Sequence, residues 1–195
     1  MSGEEPSPGG PKPDKERQIL TAVLALLGDK GIAGVSMRAV ATEAGVSLGL
    51  VNYYYSDKMG LIAAALRHIE EQDIAIVAPE ESAPPVERLR SALRRVADRE
   101  YLTTEYLALR LQLWSLAQAH PEFAEINTTA QKRYRSGLAT LIQAARPGVT
   151  RAEARRRAAD VDVIQNGIWL TALLGLDRAS VRRSVRRCEQ IALDG

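Results

Sequence analysis

Apolar residues recur every three or four positions along almost the whole chain, and alternating strand-like runs are absent. In the stretch 14–37, Ile19, Val23, Leu26 and Leu27 fall on one helical face, before a turn rich in glycine at Gly28, Gly31 and Gly34. Ser36 is a good N-cap for a second helix, because its hydroxyl can accept from a free first-turn amide. That helix carries Val40, Ala41 and Ala44 and ends at Gly45, which can turn the chain through the left-handed region. Val46 enters the turn as a buried plug. Ser47 caps a third helix over about Leu48–Tyr54, with Leu50 or Val51 facing inward. Ser56 or Asp57 then caps a fourth that runs to about Ile76.

A break follows at Ala78–Pro85, with three prolines and two glutamates. Beyond it the periodicity predicts five more helices. One starts near Pro85 and buries Leu89, Leu93 and Val96. The next, about 104–119, is apolar on more than one side, as a central helix should be. His120-Pro121 starts a long helix to about Ala145, with Phe123, Ile126, Tyr134, Leu138, Leu141 and Ile142. Thr150 caps one running to about Leu174. Gly175-Leu176-Asp177 turns into the last, which ends near Ala192. The expected class is all-α with about nine helices: an N-terminal three-helix unit with a helix-turn-helix, then a larger helical domain. The expected segments are a disordered tail (1–12), the helix-turn-helix domain (13–56), a connecting helix (57–77) and a ligand-binding and dimerisation domain (78–195).

A helix, a short turn containing glycine and a second helix make a helix-turn-helix. The outer side of its second helix offers Ser47, Gly49, Asn52 and Tyr53. Hydroxyls, a close-approach glycine and an amide suit phosphate oxygens and base edges, and asparagine can bond adenine through two atoms. Lys58 opens the next helix, where its charge can meet a phosphate.

The order of these elements resembles the DNA-binding domain of the TetR family of bacterial transcriptional regulators. The matching elements are Gly31-x-x-Gly34, Ser36-Met37-Arg38, Ala41-x-x-Ala44-Gly45-Val46-Ser47, and an aromatic cluster followed by Asp57-Lys58. The resemblance covers about residues 15–65. It implies a homodimer with an all-helical ligand-binding domain. It also implies that Ser36 and Lys58 touch backbone phosphate, that Ser47, Gly49, Asn52 and Tyr53 face the major groove, and that Tyr54 lies at a phosphate or in the core; Arg38 and Leu48 complete the expected contact set. Three positions depart from the family pattern. Leu50 stands where threonine is frequent, Asn52 where an aromatic is frequent, and Tyr55 where phenylalanine is frequent. The sequence read on DNA is therefore expected to differ from that of better-known relatives.

Charge changes the picture only slightly. The whole chain has a formal net charge of +2, yet residues 14–69 hold six Lys or Arg against five Asp or Glu. DNA binding must then rest on groups placed by the hairpin, with a modest salt dependence. The basic surplus lies in Arg151–Arg157 and Arg178–Arg187, which read as solvated helix faces. The Pro- and Gly-rich start, with two acids and one lysine before residue 13, is poor chemistry for a groove-binding arm. It also lacks the basic start and apolar core of a secretory signal. No apolar run is long enough to span a membrane. One cysteine, Cys188, forbids an intramolecular disulfide and fits a reducing cytoplasm.

In the larger domain, Tyr101, Tyr106, Leu113, Trp114, Phe123, Tyr134 and Trp169 are expected around an apolar cavity, with Gln118, Gln165 or Asn166 as orienting groups. Aromatic faces suit a cation or a flat apolar molecule. Trp114 followed by His120-Pro121-Glu122-Phe123 resembles the effector domain of the BetI-like branch of the same family. Ala158, Val161, Ile164, Ile168 and Ala172 on one helix and Val181, Val185 and Cys188 on the next form apolar stripes expected to meet a second copy in a four-helix bundle.

The expected function is a regulator that binds an operator in duplex DNA as a homodimer, most simply a repressor released by a small-molecule inducer. An activator of the same fold, or an interaction module with a degenerate hairpin, remain as alternatives. His68, His120 and Cys188 lie far apart, with no phosphate-cradling loop and no Cys-x-x-Cys, so neither an enzyme, nor a cofactor, nor a metal is expected.

Overall fold

A computed structural model describes residues 12–78, 82–175 and 177–194. Residues 1–11 of the expected tail, residues 79–81 of the Pro-rich break and residue 176 of the expected last turn lie outside them. Among the described residues there are nine α-helices and no strand: α1 (Lys12–Gly34), α2 (Met37–Ala44), α3 (Leu48–Tyr54), α4 (Lys58–Ile76), α5 (Pro85–Arg95), α6 (Thr104–Ala119), α7 (Pro121–Ala145), α8 (Arg151–Leu173) and α9 (Arg178–Leu193). A short 3-10 turn, Arg99–Tyr101, precedes α6. The chain divides into two compact units, the first ending at Ala65 and the second starting at Leu66, so α4 contributes to both.

The caps explain the boundaries. The side chains of Ser36, Ser47, Thr103, Thr150 and Asp177 each accept from a first-turn amide of the helix that follows. Asp57 accepts from the Gly60 amide at 2.8 Å and so starts α4. Gly45 closes α2 at φ 64°, and its amide bonds back into the helix. Gly31, at φ 63°, kinks α1 near its end.

In the first unit, Ile19, Val23 and Leu27 of α1, Val40 of α2, Val51 of α3 and Leu61 and Ile62 of α4 are fully buried. Polar ties fix the elements. Gln18 Nε2 donates to the Ala44 carbonyl at 2.8 Å, which satisfies an orphan at the end of α2. Tyr55 is buried, and its hydroxyl donates to Glu16 at 3.4 Å. Val46 is half-buried rather than a plug, because the α2–α3 turn lies at the surface and Val51 fills the core in its place.

In the second unit α7 packs against α5, α6 and α8, and α9 packs against α8 and α5. Their core holds Leu89, Leu93, Leu138, Ile142, Val161 and Ile168. Helix α6 buries Leu107, Leu109, Leu113 and Leu116, on more than one of its sides, and leaves Leu111 45% exposed. One expectation is corrected here. The residues expected at a dimer interface belong to the unit's own core. Ala158, Val161, Ile168, Val181, Val185 and Cys188 are buried within the single chain, and Ile164 and Ala172 are half-buried against them. Periodicity finds an apolar face but does not say which neighbour covers it, and here α8 and α9 cover each other's.

The apolar residues that α8 leaves in solvent are on another stripe. Val163 is 65%, Leu170 42% and Leu174 77% exposed. With Gly167 between them, their spacing of four, three and four puts them on one face. Cys188, by contrast, is wholly buried, and burial pushes its thiol up to about 12. The native protein is therefore expected to stay unmodified by Ellman's reagent at pH 8 and to release one equivalent only on unfolding in denaturant.

Candidate DNA-reading face and ligand cavity

α3 places its side chains in two sets. Val51 faces the core at 0% exposure. Ser47, Leu48, Gly49, Asn52 and Tyr53 face solvent, with Tyr53 72% exposed, and Tyr54 is half-buried. Tyr53 and Tyr54 meet edge to face at 5.4 Å, which holds the Tyr53 ring in place on a seven-residue helix. Ser36 and Arg38 are exposed at the start of α2. The helix is thus bracketed by capping serines whose oxygens accept in-chain bonds and whose protons are free to be donated elsewhere. Lys58 is half-buried, and its ammonium donates to the Ile32 carbonyl at 2.6 Å, a tie invisible in the sequence. An ammonium has three donors, so one bond of this kind leaves two.

The second unit holds a partly open cavity with about 20 Å³ of free space, room for about one water molecule. Four expected residues line it: Tyr134, Gln165, Asn166 and Trp169. Tyr101 and Tyr106 stand behind Trp169, each with ring centroids 6.4 Å from it. Trp114 is outside the lining, with its ring centroid 5.2 Å from the Arg110 guanidinium. The other three do not join them: Leu113 and Phe123 are core residues, and Gln118 is exposed on α6.

The charged lining was not anticipated. Glu70 and Asp73 of α4, Arg110 of α6 and Asp162 of α8 all face this cavity and are all buried. Asp73 accepts from both the Tyr106 hydroxyl and Arg110. The Arg110 guanidinium lies 4.1 Å from the Trp169 ring centroid, 5.2 Å from Trp114 and 5.9 Å from Tyr106. Burial pulls Arg110 down to about 10, against the upward pull of Glu70, Tyr134 and Asp162, so it is a cation at neutral pH. Burial raises Glu70 above the usual carboxylate range, with Arg110 opposing and Asp162 adding to the rise. Asp162 accepts from Arg135 at 2.6 Å and from Asn166 at 3.1 Å. Tyr134 donates to Gln165 Oε1 at 2.8 Å. Arg110 Nε and Gln165 Nε2 are buried without a hydrogen-bond acceptor among the described residues. Such orphans cost free energy, and they mark the cavity as a place that expects polar company.

A groove of about 340 Å³ between α4 and α7 shares Glu70 and Ala130 with the cavity. Its rim carries Glu71, Glu122 and Glu125 against Arg67 and Arg133. The pattern that could have disclosed this site was present. Asp162, Gln165, Asn166 and Trp169 share one face of α8, and Arg110 is the one charge in the run Leu107–Trp114.

Comparison with known proteins fits the two units in turn. The family profile described as bacterial regulatory proteins, tetR family, matches residues 19–65. The profile of the BetI-type transcriptional repressor C-terminal domain matches residues 85–192, more than half of the chain. The chain belongs to the TetR family of transcriptional regulators. It is similar to the HTH-type transcriptional regulator BetI of Paraburkholderia phytofirmans, 27% identical over 175 residues, covering 88% of each chain. A transcriptional regulator of Pseudomonas aeruginosa has the same fold, with a TM-score of 0.79 and 25% identity over 92% of this chain and 89% of that one. A regulator of Saccharomonospora viridis, solved in complex with choline, shares the fold with a TM-score of 0.68 and 21% identity, over 92% of this chain and 95% of that one. As a member of the TetR family with a BetI-type second domain, the chain is a DNA-binding transcriptional repressor and not an enzyme. No described helix is long and apolar enough to cross a membrane.

Proposed function

We propose that this TetR-family regulator is a homodimer that holds a promoter operator in the cytoplasm and is released by a small organic cation. The observation that carries the ligand reading is that three buried carboxylates, Glu70, Asp73 and Asp162, line one cavity together with Trp169, whose ring already holds a cationic group, the Arg110 guanidinium, at 4.1 Å. Carboxylates beside an aromatic face suit a cation and repel an anion. The acidic rim of the adjoining groove supports the same sign of charge. The choline complex of the fold relative from Saccharomonospora viridis is consistent with it.

On the DNA side, Asn52, Tyr53, Gly49 and Ser47 face the major groove, with Leu48 against a base or sugar. Ser36, Arg38, Tyr54 and Lys58 meet phosphates. TetR-family regulators typically dimerise, and the reading helices of the dimer must meet half-sites about 34 Å apart. The surface that supports pairing is the exposed α8 stripe of Val163, Gly167, Leu170 and Leu174. A contiguous apolar stripe of that kind marks an interaction surface.

A gel-shift assay against the DNA upstream of the protein's own gene tests the core of this reading. The protein should retard that duplex over a random one, and choline or a related onium ion should release it. Retardation unaffected by any onium ion would overturn the ligand class, and equal retardation of both duplexes would point to a degenerate hairpin. Within the reader, Asn52→Ala should cost about 1–3 kcal/mol of discrimination at one base pair. Lys58→Ala should instead weaken all sequences alike. An equal loss for both variants on cognate and random duplex would count against these roles.

A further inference from the structure

Arg110 already sits where a cationic ligand would sit. Its guanidinium lies over Trp169 at 4.1 Å, with Trp114 and Tyr106 at 5.2 and 5.9 Å, and it is paired with Asp73. The empty space beside it, about 20 Å³, holds about one water molecule. An onium ion that is to lie on Trp169 and against Asp73 must therefore take the place of something. The Arg110 arrangement is also imperfect, since its Nε is buried with no acceptor among the described residues.

We propose that Arg110 is a tethered occupant of the cation site, and that ligand binding is an exchange in which an incoming onium ion expels its guanidinium from the Trp169–Asp73 stack. The inference rests on the cation reading above and adds what the site must give up to bind. Glu70, buried where the acidic groove meets the cavity, is the first carboxylate the ion reaches and fixes the charge class admitted. The exchange is itself the signal. The Arg110–Asp73 pair joins α6 to α4, and α4 continues into the unit that reads DNA. Breaking that pair frees one end of the shared helix, so ligand and DNA bias the same two-state element.

The test is calorimetric titration of the full chain with choline and with tetramethylammonium as probes. Wild type, Arg110→Met and Arg110→Lys are compared, with circular dichroism as the folding check. A site that is self-occupied for most of the time binds with an apparent affinity reduced by its vacant fraction. Arg110→Met should therefore bind the probes at least about tenfold more tightly, and Arg110→Lys should stay near wild type. Equal or weaker binding by Arg110→Met, with wild type binding normally, overturns the exchange and leaves the cation reading intact. Absence of binding by wild type and by a folded Arg110→Met removes the cation reading and the exchange with it. Should Arg110→Met fail to fold, the arginine Nε–Hε resonances of labelled wild type decide. The Arg110 signal, ring-shifted by Trp169, should move to the ordinary arginine position at saturating choline. A signal that stays ring-shifted in the complex shows that ligand and guanidinium coexist, and the proposal falls.

Discussion

Leu170→Glu combined with Leu174→Glu should turn the protein into a well-folded monomer that has lost its operator. Both side chains are already in solvent within the single chain, at 42% and 77% exposure, so their replacement removes little intramolecular packing. In a two-fold interface, however, each position meets its own copy or a near neighbour. Four new carboxylates would then crowd around one axis without partners, and a buried unpaired charge costs several kcal/mol. DNA binding should fall further than dimerisation alone suggests. Two linked readers gain roughly 10²–10⁴ over one through effective concentration, and a monomer forfeits that factor. Light scattering after size exclusion should give a mass near the single chain of 21.3 kDa. Gel shift should show loss of full-operator binding, with circular dichroism unchanged. A variant that remains dimeric would place the interface elsewhere, and the arginine-lined outer face of α9 would be the next surface to change.

The helices were legible because their signals are local. Each start predicted from Ser36, Ser47, Thr150 or Pro85 is where the structure begins a helix, because a capping side chain or a proline needs no distant partner to act. The outward set on α3 followed from the same periodicity once Val51 was placed inside. What periodicity cannot supply is the identity of a neighbour. Val161, Ile168 and Val185 have the same spacing whether they meet another copy or their own domain, and they meet their own domain. The cavity was half legible for a related reason. Aromatic residues announce a pocket by type, so Tyr134 and Trp169 could be named. Arg110 stands out only as a lone charge in an apolar run, and Glu70 and Asp73 read as ordinary surface charges until α4 and α6 are brought together, since the sequence does not say which partner 37 residues away answers the arginine.

Helix α4 spans the boundary between the two units. Lys58 at its first residue donates to the Ile32 carbonyl, and Glu70 and Asp73, about three and four turns on, line the cavity of the second unit. Both partners of Asp73, the Tyr106 hydroxyl and the Arg110 guanidinium, are side chains of α6.

Asp73→Ala should be among the most damaging single substitutions in the second unit. It removes the acceptor of two donors at once, the Tyr106 hydroxyl and the Arg110 guanidinium. The guanidinium remains, buried over Trp169 with 8% of its side chain exposed, and a buried cation that loses its partner costs about 3–5 kcal/mol. Glu70 and Asp162 keep part of that loss from being felt, because both still attract Arg110. The loss should appear in urea as a lower midpoint with little change in slope for the transition that includes the second unit. Asp73→Asn keeps one acceptor oxygen, for Tyr106, but gives up the charge and faces Arg110 with an NH2 donor, so its stability should fall between that of wild type and Asp73→Ala. The double variant Asp73→Ala/Arg110→Met leaves no orphaned partner and should be more stable than Asp73→Ala alone, since removing both members of a buried pair is far milder than removing one. If the double variant is as unstable as the sum of its singles, the pair is not coupled, and the short Asp73–Arg110 contact is an incidental neighbour rather than the joint between α4 and α6.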